Sequence, residues 1–321
     1  MELISIKRRN KIRFYAKGFA QHVLVPNAWF RSRLASKLAR INRYDPQWIQ
    51  ERVEYYNKLN AAFNVSAQAL DLKSIPSTKQ TAYYYDMRAL LRHYPPSCRI
   101  DYKFGDNRDT AEIPTLVKSR AVGAGNDNNV LLKLNQVRHF MTIKDRVSYA
   151  DKKNMLVWRG AARQQHRKDF LVKFWNHSLC DVGQVNSPAR GGKAEWVKPR
   201  MSIAEQLNYK FILSIEGHDV ATNLKWIAQS NSLCFMTRPK YETWMMEGRL
   251  VGGQHYVELR EDYADLPEKI EYYTRHSEEA NEIINNLQEY YRQFQDPVRE
   301  ELISLLVLNK YLKLSGQIAE V

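Results

Sequence analysis

The sequence predicts an α/β protein built on parallel sheets, with helices at both ends. Three observations carry that prediction. From about residue 99 onward, short apolar runs alternate with helical patterns. The apolar runs stop at turn-forming residues, as at Phe104-Gly105-Asp106, Arg159-Gly160 and Glu216-Gly217. The pairs Asp45-Pro46 and Asp296-Pro297 read as helix starts near the two ends, with Asp as N-cap and Pro in the first turn.

The elements follow in chain order. Residues 1–44 read as mainly helical, broken near Pro26. After Asp45-Pro46, Ile49, Val53, Tyr56 and Leu59 keep helical spacing. Residues 62–80, punctuated by Ser, Pro and Thr, read as a loop with short helices. A second helix covers 82–93 and ends before Pro95-Pro96. Residues 99–104 and 114–118 read as strands split by a polar stretch, and 123–129 as a turn-rich loop. Residues 130–134 and 155–158 are further strands, and 168–177 a helix. The polar, Gly-containing stretch 181–200 reads as a surface loop. Residues 209–215 form a buried strand, 221–229 a helix, 232–236 a strand and 255–259 one more. Residues 277–294 read as a helix with Ile283, Ile284, Leu287, Tyr291 and Phe294 on one face. A last helix follows Asp296-Pro297, apolar from Leu302 to Leu312.

Composition bounds the function. A chain of 321 residues with 44% apolar residues buries one large core or splits into two domains. Cys98, Cys180 and Cys234 are too few and too scattered for a disulfide framework or a zinc site, which fits a reducing compartment. No run of about 18 apolar residues occurs, and the N-terminus does not read as a signal peptide. The expected location is therefore inside the cell. The net charge is +14, and +10 of it lies in residues 1–44, where eleven Lys/Arg face Glu2 alone. Phe14, Tyr15, Phe19, Val23, Leu24, Val25, Trp29 and Phe30 interleave with these charges. Basic plus bulky apolar is the pattern of an anchor on an anionic membrane. An ordinary solvated helix face and a nucleic-acid contact are the other readings.

No phosphate-binding GxxxxGK[ST] loop, GxSxG elbow, HExxH motif or DxD pair is present. Gly123-Ala124-Gly125 is half of a dinucleotide fingerprint without its third Gly. Four segments stand out. Asp106 follows a strand directly, where ligands of parallel sheets sit. Its carboxylate could take a proton from a hydroxyl, or only hold its own turn. Val157-Trp158-Arg159-Gly160, with Arg163, His166, Arg167 and Lys168, joins a strand to a basic helix start. That arrangement suits a diphosphate; a basic surface helix is the plainer reading. Residues 209–226 deliver Glu216, Gly217, Asp219, Asn223 and Lys225 beyond a buried strand, unless Asp219 or Thr222 is merely an N-cap. Tyr241, Glu242, Trp244 and Glu247 line a pocket or belong to the core.

Taken together and in this order, the segments resemble glycosyltransferase family 90. That family includes bacterial lipopolysaccharide-modifying glycosyltransferases, fungal capsule-associated proteins and animal protein O-glucosyltransferases. The resemblance runs from roughly residue 85 to 295. It rests on Pro-Thr-Leu-Val-Lys-Ser-Arg (114–120), Trp-Arg-Gly (158–160) and Glu-Gly-His-Asp-Val-Ala-Thr-Asn-Leu-Lys-Trp (216–226). The last segment looks closest to the bacterial lipopolysaccharide branch.

The resemblance implies two facing Rossmann-like domains of the GT-B type with helical N- and C-terminal extensions. The corresponding divisions are 1–44, 45–150, 151–295 and 296–321. It implies a UDP-sugar donor, no metal, a lipopolysaccharide or lipooligosaccharide acceptor, and inversion assisted by an Asp base. Within Gly105-Asp106-Asn107-Arg108-Asp109 the base is Asp106, with Asp109 as runner-up. The donor set is Arg159, Gly160, Arg163, Arg167, Glu216, Gly217, Asp219, Asn223 and Lys225. Lys118, Arg120, Tyr241 and Glu242 are acceptor or pocket residues. Two departures stand out: Ala161 replaces the Ser of the eukaryotic enzymes, and Asn223 stands where they carry an Arg, with Lys225 nearby. A lipid-linked acceptor gives residues 7–43 a role on the inner face of the cytoplasmic membrane, with no nucleic acid as partner. The alternative is a non-enzymatic basic protein that binds nucleic acid or anionic membrane.

Overall fold

Helix α1 (Pro46–Tyr56) begins where its cap is. The Asp45 carboxylate accepts the N–H groups of Gln47 and Trp48 at 2.9 and 3.4 Å, and Pro46 fills the first turn. Ile49, Val53 and Tyr56 form its buried face. The computed structural model that contains this helix describes residues 12–16, 18–20, 24–77 and 80–319. The chain divides into two compact units. A terminal unit is drawn from Arg8–Arg138, Lys240–Gly248 and Phe294–Val321; a sheet unit includes His139–Pro239 and Arg249–Gln293.

In the terminal unit, residues 12–16 and 18–20 are helical, and the chain bends at Pro26 before short helices at Asn27–Arg31 and Leu34–Leu38. The part of the expected N-terminal helix in residues 1–11 lies outside the described residues. Then come β1 (Leu70–Asp71), α2 (Thr81–Leu91), β2 (Arg99–Ile100), β3 (Tyr102–Lys103), β4 (Thr115–Val117), β5 (Arg120–Ala121) and β6 (Asn129–Leu131). The stretch read as a loop, 62–80, therefore contains a strand, which pairs antiparallel with β2. The single strand expected at 99–104 is two. Asp101 sits between them, and its carboxylate accepts the Ser66 N–H and hydroxyl at 2.9 and 2.5 Å. The chain changes partner at that residue: Ile100 faces Leu70, while Tyr102 pairs in parallel with Leu116. Strands β3, β4 and β6 make a parallel sheet in that order.

The sheet unit holds β7 (Lys153–Gly160), α3 (Gln165–Phe174), β8 (Cys180–Gln184), β9 (Tyr209–Leu213), α4 (Leu224–Ile227) and β10 (Leu233–Thr237). The chain then contributes β11 (Tyr241–Glu242) to the terminal unit and returns with β12 (Val257–Leu259), α5 (Leu266–Arg275) and α6 (Ser277–Arg292). The five strands lie in the order β12-β10-β9-β7-β8, all parallel. Counted by appearance in the chain, that is the doubly wound order 2-1-3-4-5. Alternate residues Phe211, Leu213 and Ile215 join Trp158, Phe170, Phe235, Leu266 and Ile283 in the core of this unit.

Three expectations are corrected here. Cys180–Gln184 is an edge strand rather than loop. Its polar Asp181 and Gln184 are satisfied locally, Asp181 by Arg159, Lys198 and Tyr209 and Gln184 by the backbone of Asn186 and Lys193. The helix expected at 221–229 is only Leu224–Ile227, because a turn closed by Gly217 N–H on Asp219 O at 2.9 Å precedes it. Helix α5 has no counterpart among the expected elements.

Helix α7 (Pro297–Leu314) closes the terminal unit, capped by Asp296 on Val298 and Arg299 N–H at 2.9 and 3.2 Å. It lies against α1 through a buried ionic hub. Glu300 accepts from Arg52 at 2.6 Å, from Lys133 at 3.4 Å and from the Trp244 indole, whose ring stacks 3.8 Å from Tyr56. Among the described residues no helix is long and apolar enough to cross a membrane.

Candidate active site

The catalytic and pocket candidates all fall in the terminal unit, and the donor candidates all fall in the sheet unit. In the first group, Gly105 turns the chain with φ +100°, a left-handed conformation that favours glycine. The loop after it is stapled to the segment following β4. Asn107 N–H donates to Ser119 Oγ, which donates back to Asn107 O, both at 3.0 Å. The staple brings Asp106 to Lys118. Lys118 Nζ donates to Asp106 Oδ1 at 2.6 Å; the lysine is buried, while the carboxylate is about a third exposed (32%). A buried lysine thus holds in place a carboxylate that is partly open to solvent. Asp109 is different. It pairs at 2.6 Å with Lys103 on the open surface, where such pairs fix little.

Beside this loop, Arg108 Nε donates to Tyr241 Oη at 2.8 Å. Tyr241 is carried by β11, which pairs antiparallel with β5. Arg120 and Glu242, also pocket candidates, lie directly opposite each other in that ladder and are fully buried. Arg120 Nε donates to Glu242 Oε1 at 2.7 Å. Its other nitrogens donate to the carbonyls of Asn129, Tyr56 and Tyr55. They form an interior brace that seats Tyr241. Gly123-Ala124-Gly125 is a surface loop between two strands, both glycines at positive φ, and leads into no helix.

In the sheet unit, β7 and β9 are the neighbours at which the strand order reverses. Open α/β sheets bind ligands beyond the carboxyl ends of such a pair. The Trp-Arg-Gly and Glu-Gly-His-Asp segments meet there. Arg167, in the first turn of α3, donates to three carbonyls: Ala161 at 3.1 Å after β7, and Ile215 and Glu216 at 2.8 Å each after β9. His166 Nε2 reaches the same Glu216 oxygen at 2.8 Å. Gly217 follows so closely that an added Cβ would lie 3.4 Å from the Arg167 guanidinium. The N-cap residue Gln164 makes no side-chain cap to this ten-residue helix, whose N-terminus favours an anion. Arg163 is exposed just before it.

Gly160 is dictated by packing. A Cβ there would stand 2.3 Å from Trp158 Cζ2. Arg159 points to the edge strand, with 2.7 Å bonds to the Asp181 carboxylate and carbonyl and a 3.1 Å bond to Pro199 O. Burial would raise the Asp181 carboxyl, but hydrogen bonds from Tyr209, Arg159 and Lys198 outweigh it and hold it at about 2. Asp219 and Lys225 are buried, and Asn223 donates to Leu213 O at 2.9 Å. Neither Asp219 nor Thr222 is an N-cap; that position of α4 is Asn223.

Ser214 belongs to none of the sequence-derived candidates. It lies one residue beyond β9, between the Leu213 carbonyl taken by Asn223 and the Ile215 carbonyl taken by Arg167. It is only 3% exposed, and its Oγ has no hydrogen-bond partner among the described residues. Gln164 Oε1, beyond the neighbouring strand, is in the same condition. A lone Ser inside the mostly apolar run 209–215 is the signal the sequence offers for it.

Comparison with known proteins shows the family. The model of glycosyl transferase family 90 matches residues 127–315. An O-glucosyltransferase LpsA of Dichelobacter nodosus is 47% identical over 308 residues, which cover 95% of this chain and 96% of that protein. The matched region takes in the whole five-stranded sheet and the Arg167 clamp, and the full-length similarity extends to the Asp106 loop. The chain belongs to glycosyl transferase family 90.

Proposed function

We propose that this glycosyltransferase moves a sugar from a UDP-sugar to a lipopolysaccharide or lipooligosaccharide acceptor, without a metal and with inversion. Glucose is the first sugar to test, from the name of the Dichelobacter nodosus relative. The observation that carries the reading is the Arg167 clamp. It draws the loops after β7 and β9 together at the switch point, beside an uncapped helix N-terminus. A diphosphate suits that position. The α3 N–H groups, the Arg163 charge and the hydroxyl of Ser214 would hold it, while Arg167 and His166 set the shape of the loops.

In the reaction, an acceptor hydroxyl attacks the anomeric carbon as the Asp106 carboxylate takes its proton. The bond from that carbon to the diphosphate oxygen breaks on the opposite face, and its electron pair leaves with UDP. Positive groups fixed around the leaving oxygen lower the barrier because they need not reorganise. Lys118 keeps Asp106 aimed. Tyr241, held by Arg108 and by the Arg120–Glu242 brace, would meet the acceptor sugar. The GT-B organisation implied by the family belongs to the same proposal.

The test is a thermal-shift screen against UDP, GDP and CMP, followed by transfer from UDP-glucose to purified lipopolysaccharide core with and without a chelator. A ligand that binds only the folded state raises the melting temperature. A UDP-selective shift and chelator-resistant transfer are the expected results. No shift with any nucleotide would overturn the donor assignment, and transfer abolished by the chelator would overturn metal independence.

A further inference from the structure

The aromatic and aliphatic residues interleaved with the N-terminal charges divide into two sets. One set faces the protein. Phe14 and Tyr15 make edge contacts with Tyr85 of α2, and Gly18 approaches so closely that a Cβ would lie 2.7 Å from that ring. Phe30 is buried under the Arg92 guanidinium, 3.6 Å from its ring centre, and Arg92 also donates to Val25 O at 2.9 Å. These contacts attach the segment to the terminal unit.

The other set faces out. Ile12 and Phe19 are 61% exposed, Leu24 74% and Trp29 44%. Large exposed hydrophobic residues elsewhere in the described structure are scattered singly; here four fall within one short segment. Cations lie among them in the sequence. Arg33 stacks over Trp29 at 3.8 Å, and Arg13, Arg31 and Arg43 are exposed. Lys37 and Arg40 turn instead to Glu301.

We infer that this face docks the protein on a bilayer with anionic headgroups. Exposed cations draw it to the surface, and Ile12, Phe19, Leu24 and Trp29 enter the headgroup boundary. The side chains favour lipid over nucleic acid. Bases stack on rings, yet Ile12 and the most exposed residue, Leu24, have none, whereas acyl chains accept both. They also disfavour a second copy, because two faces of like charge repel. The inference is independent of the catalytic reading.

The experiment is co-sedimentation of the full chain with vesicles of phosphatidylglycerol and phosphatidylcholine, and with phosphatidylcholine alone. Binding is expected to the anionic vesicles and to weaken as salt rises. Arg31→Glu/Arg33→Glu should weaken it at least about 25-fold, from about fivefold per cation. Phe19→Ser/Leu24→Ser should weaken it about tenfold or more. Circular dichroism and the thermal midpoint should match the parent in both variants, since the replaced side chains are exposed. Undiminished binding by either variant overturns the inference. So does tighter binding to duplex DNA than to the vesicles, or self-association that the Phe19/Leu24 substitution abolishes. Whether any nucleotide shifts the melting temperature has no bearing on these outcomes.

Discussion

Lys118 Nζ and Asp106 Oδ1 lie 2.6 Å apart, the lysine buried and the carboxylate partly open to solvent. The pair separates the two base candidates by environment. Asp106→Asn keeps the shape of the side chain and removes the proton acceptor. Its kcat should fall by about 10²–10⁴, the usual contribution of a general base. Asp109→Asn weakens an exposed pair with Lys103 and should leave kcat within about twofold. Lys118→Met should lower kcat through Asp106 while the KM for donor holds. Steady-state transfer kinetics on folded variants decide this; full activity in Asp106→Asn removes it as the base.

Arg167 joins carbonyls from two loops with one planar group. Lysine cannot reproduce that fork. Arg167→Lys should cost about 1–3 kcal/mol of stability and abolish the UDP-induced thermal shift. Ser214→Ala removes an unpartnered buried hydroxyl, so the free protein should lose little. UDP affinity should drop about five- to tenfold, the worth of one hydrogen bond. Calorimetric titration separates the two effects, and an unchanged affinity in Ser214→Ala excludes it from the donor site.

How much of this is legible in the sequence depends on the range of the interactions. The caps at Asp45 and Asp296 are readable because the cap and its N–H partners lie within three residues. Strands β7, β9 and β10 are readable from apolar runs, since both their faces are covered. Edge strand β8 is not, because its polar Asp181 is satisfied by groups that the linear sequence leaves far off, such as Tyr209. The two-residue strands β5 and β11 pair across 122 positions, Arg120 against Glu242, and no local pattern announces them. The same distance hides the character of that pair, which sequence reading places in a pocket and folding buries as a brace. The +10 charge of residues 1–44 leaves a non-enzymatic polyanion binder open, and membership of a glycosyltransferase family displaces that reading.

Gly160 offers a steric test. A methyl group there meets Trp158 at 2.3 Å, and Trp158 carries the Arg167 guanidinium over its ring at 5.6 Å. Gly160→Ala should cost about 1–3 kcal/mol by overpacking and weaken UDP binding by tilting the clamp. Urea unfolding and the thermal-shift response should change together. A stable variant that retains the UDP response would show that Trp158 moves aside freely.

Asp86 gives the terminal unit a pH dependence of definite sign. It lies in α2, wholly buried, and burial pushes its carboxyl up from 3.8 to about 7 against the hydrogen bonds of Gln136 and the nearby Lys133 charge. A folded-state pKa above the unfolded one means that the native state binds the proton more tightly. The associated stability is fully present below about pH 4 and is lost as pH rises through about 7. At about 1.4 kcal/mol for each pH unit between the unfolded and folded values, the full span is on the order of 4 kcal/mol. Buried His93 acts in the opposite sense, since burial lowers its pKa. The comparison must therefore be with Asp86→Asn, which keeps the size and removes the titration. Between pH 5 and pH 8 the parent should lose about 2–3 kcal/mol relative to that variant in urea unfolding. Parallel pH profiles for the two proteins would mean that Asp86 stays ionised throughout, stabilised by Gln136 and Lys133 more than burial destabilises it.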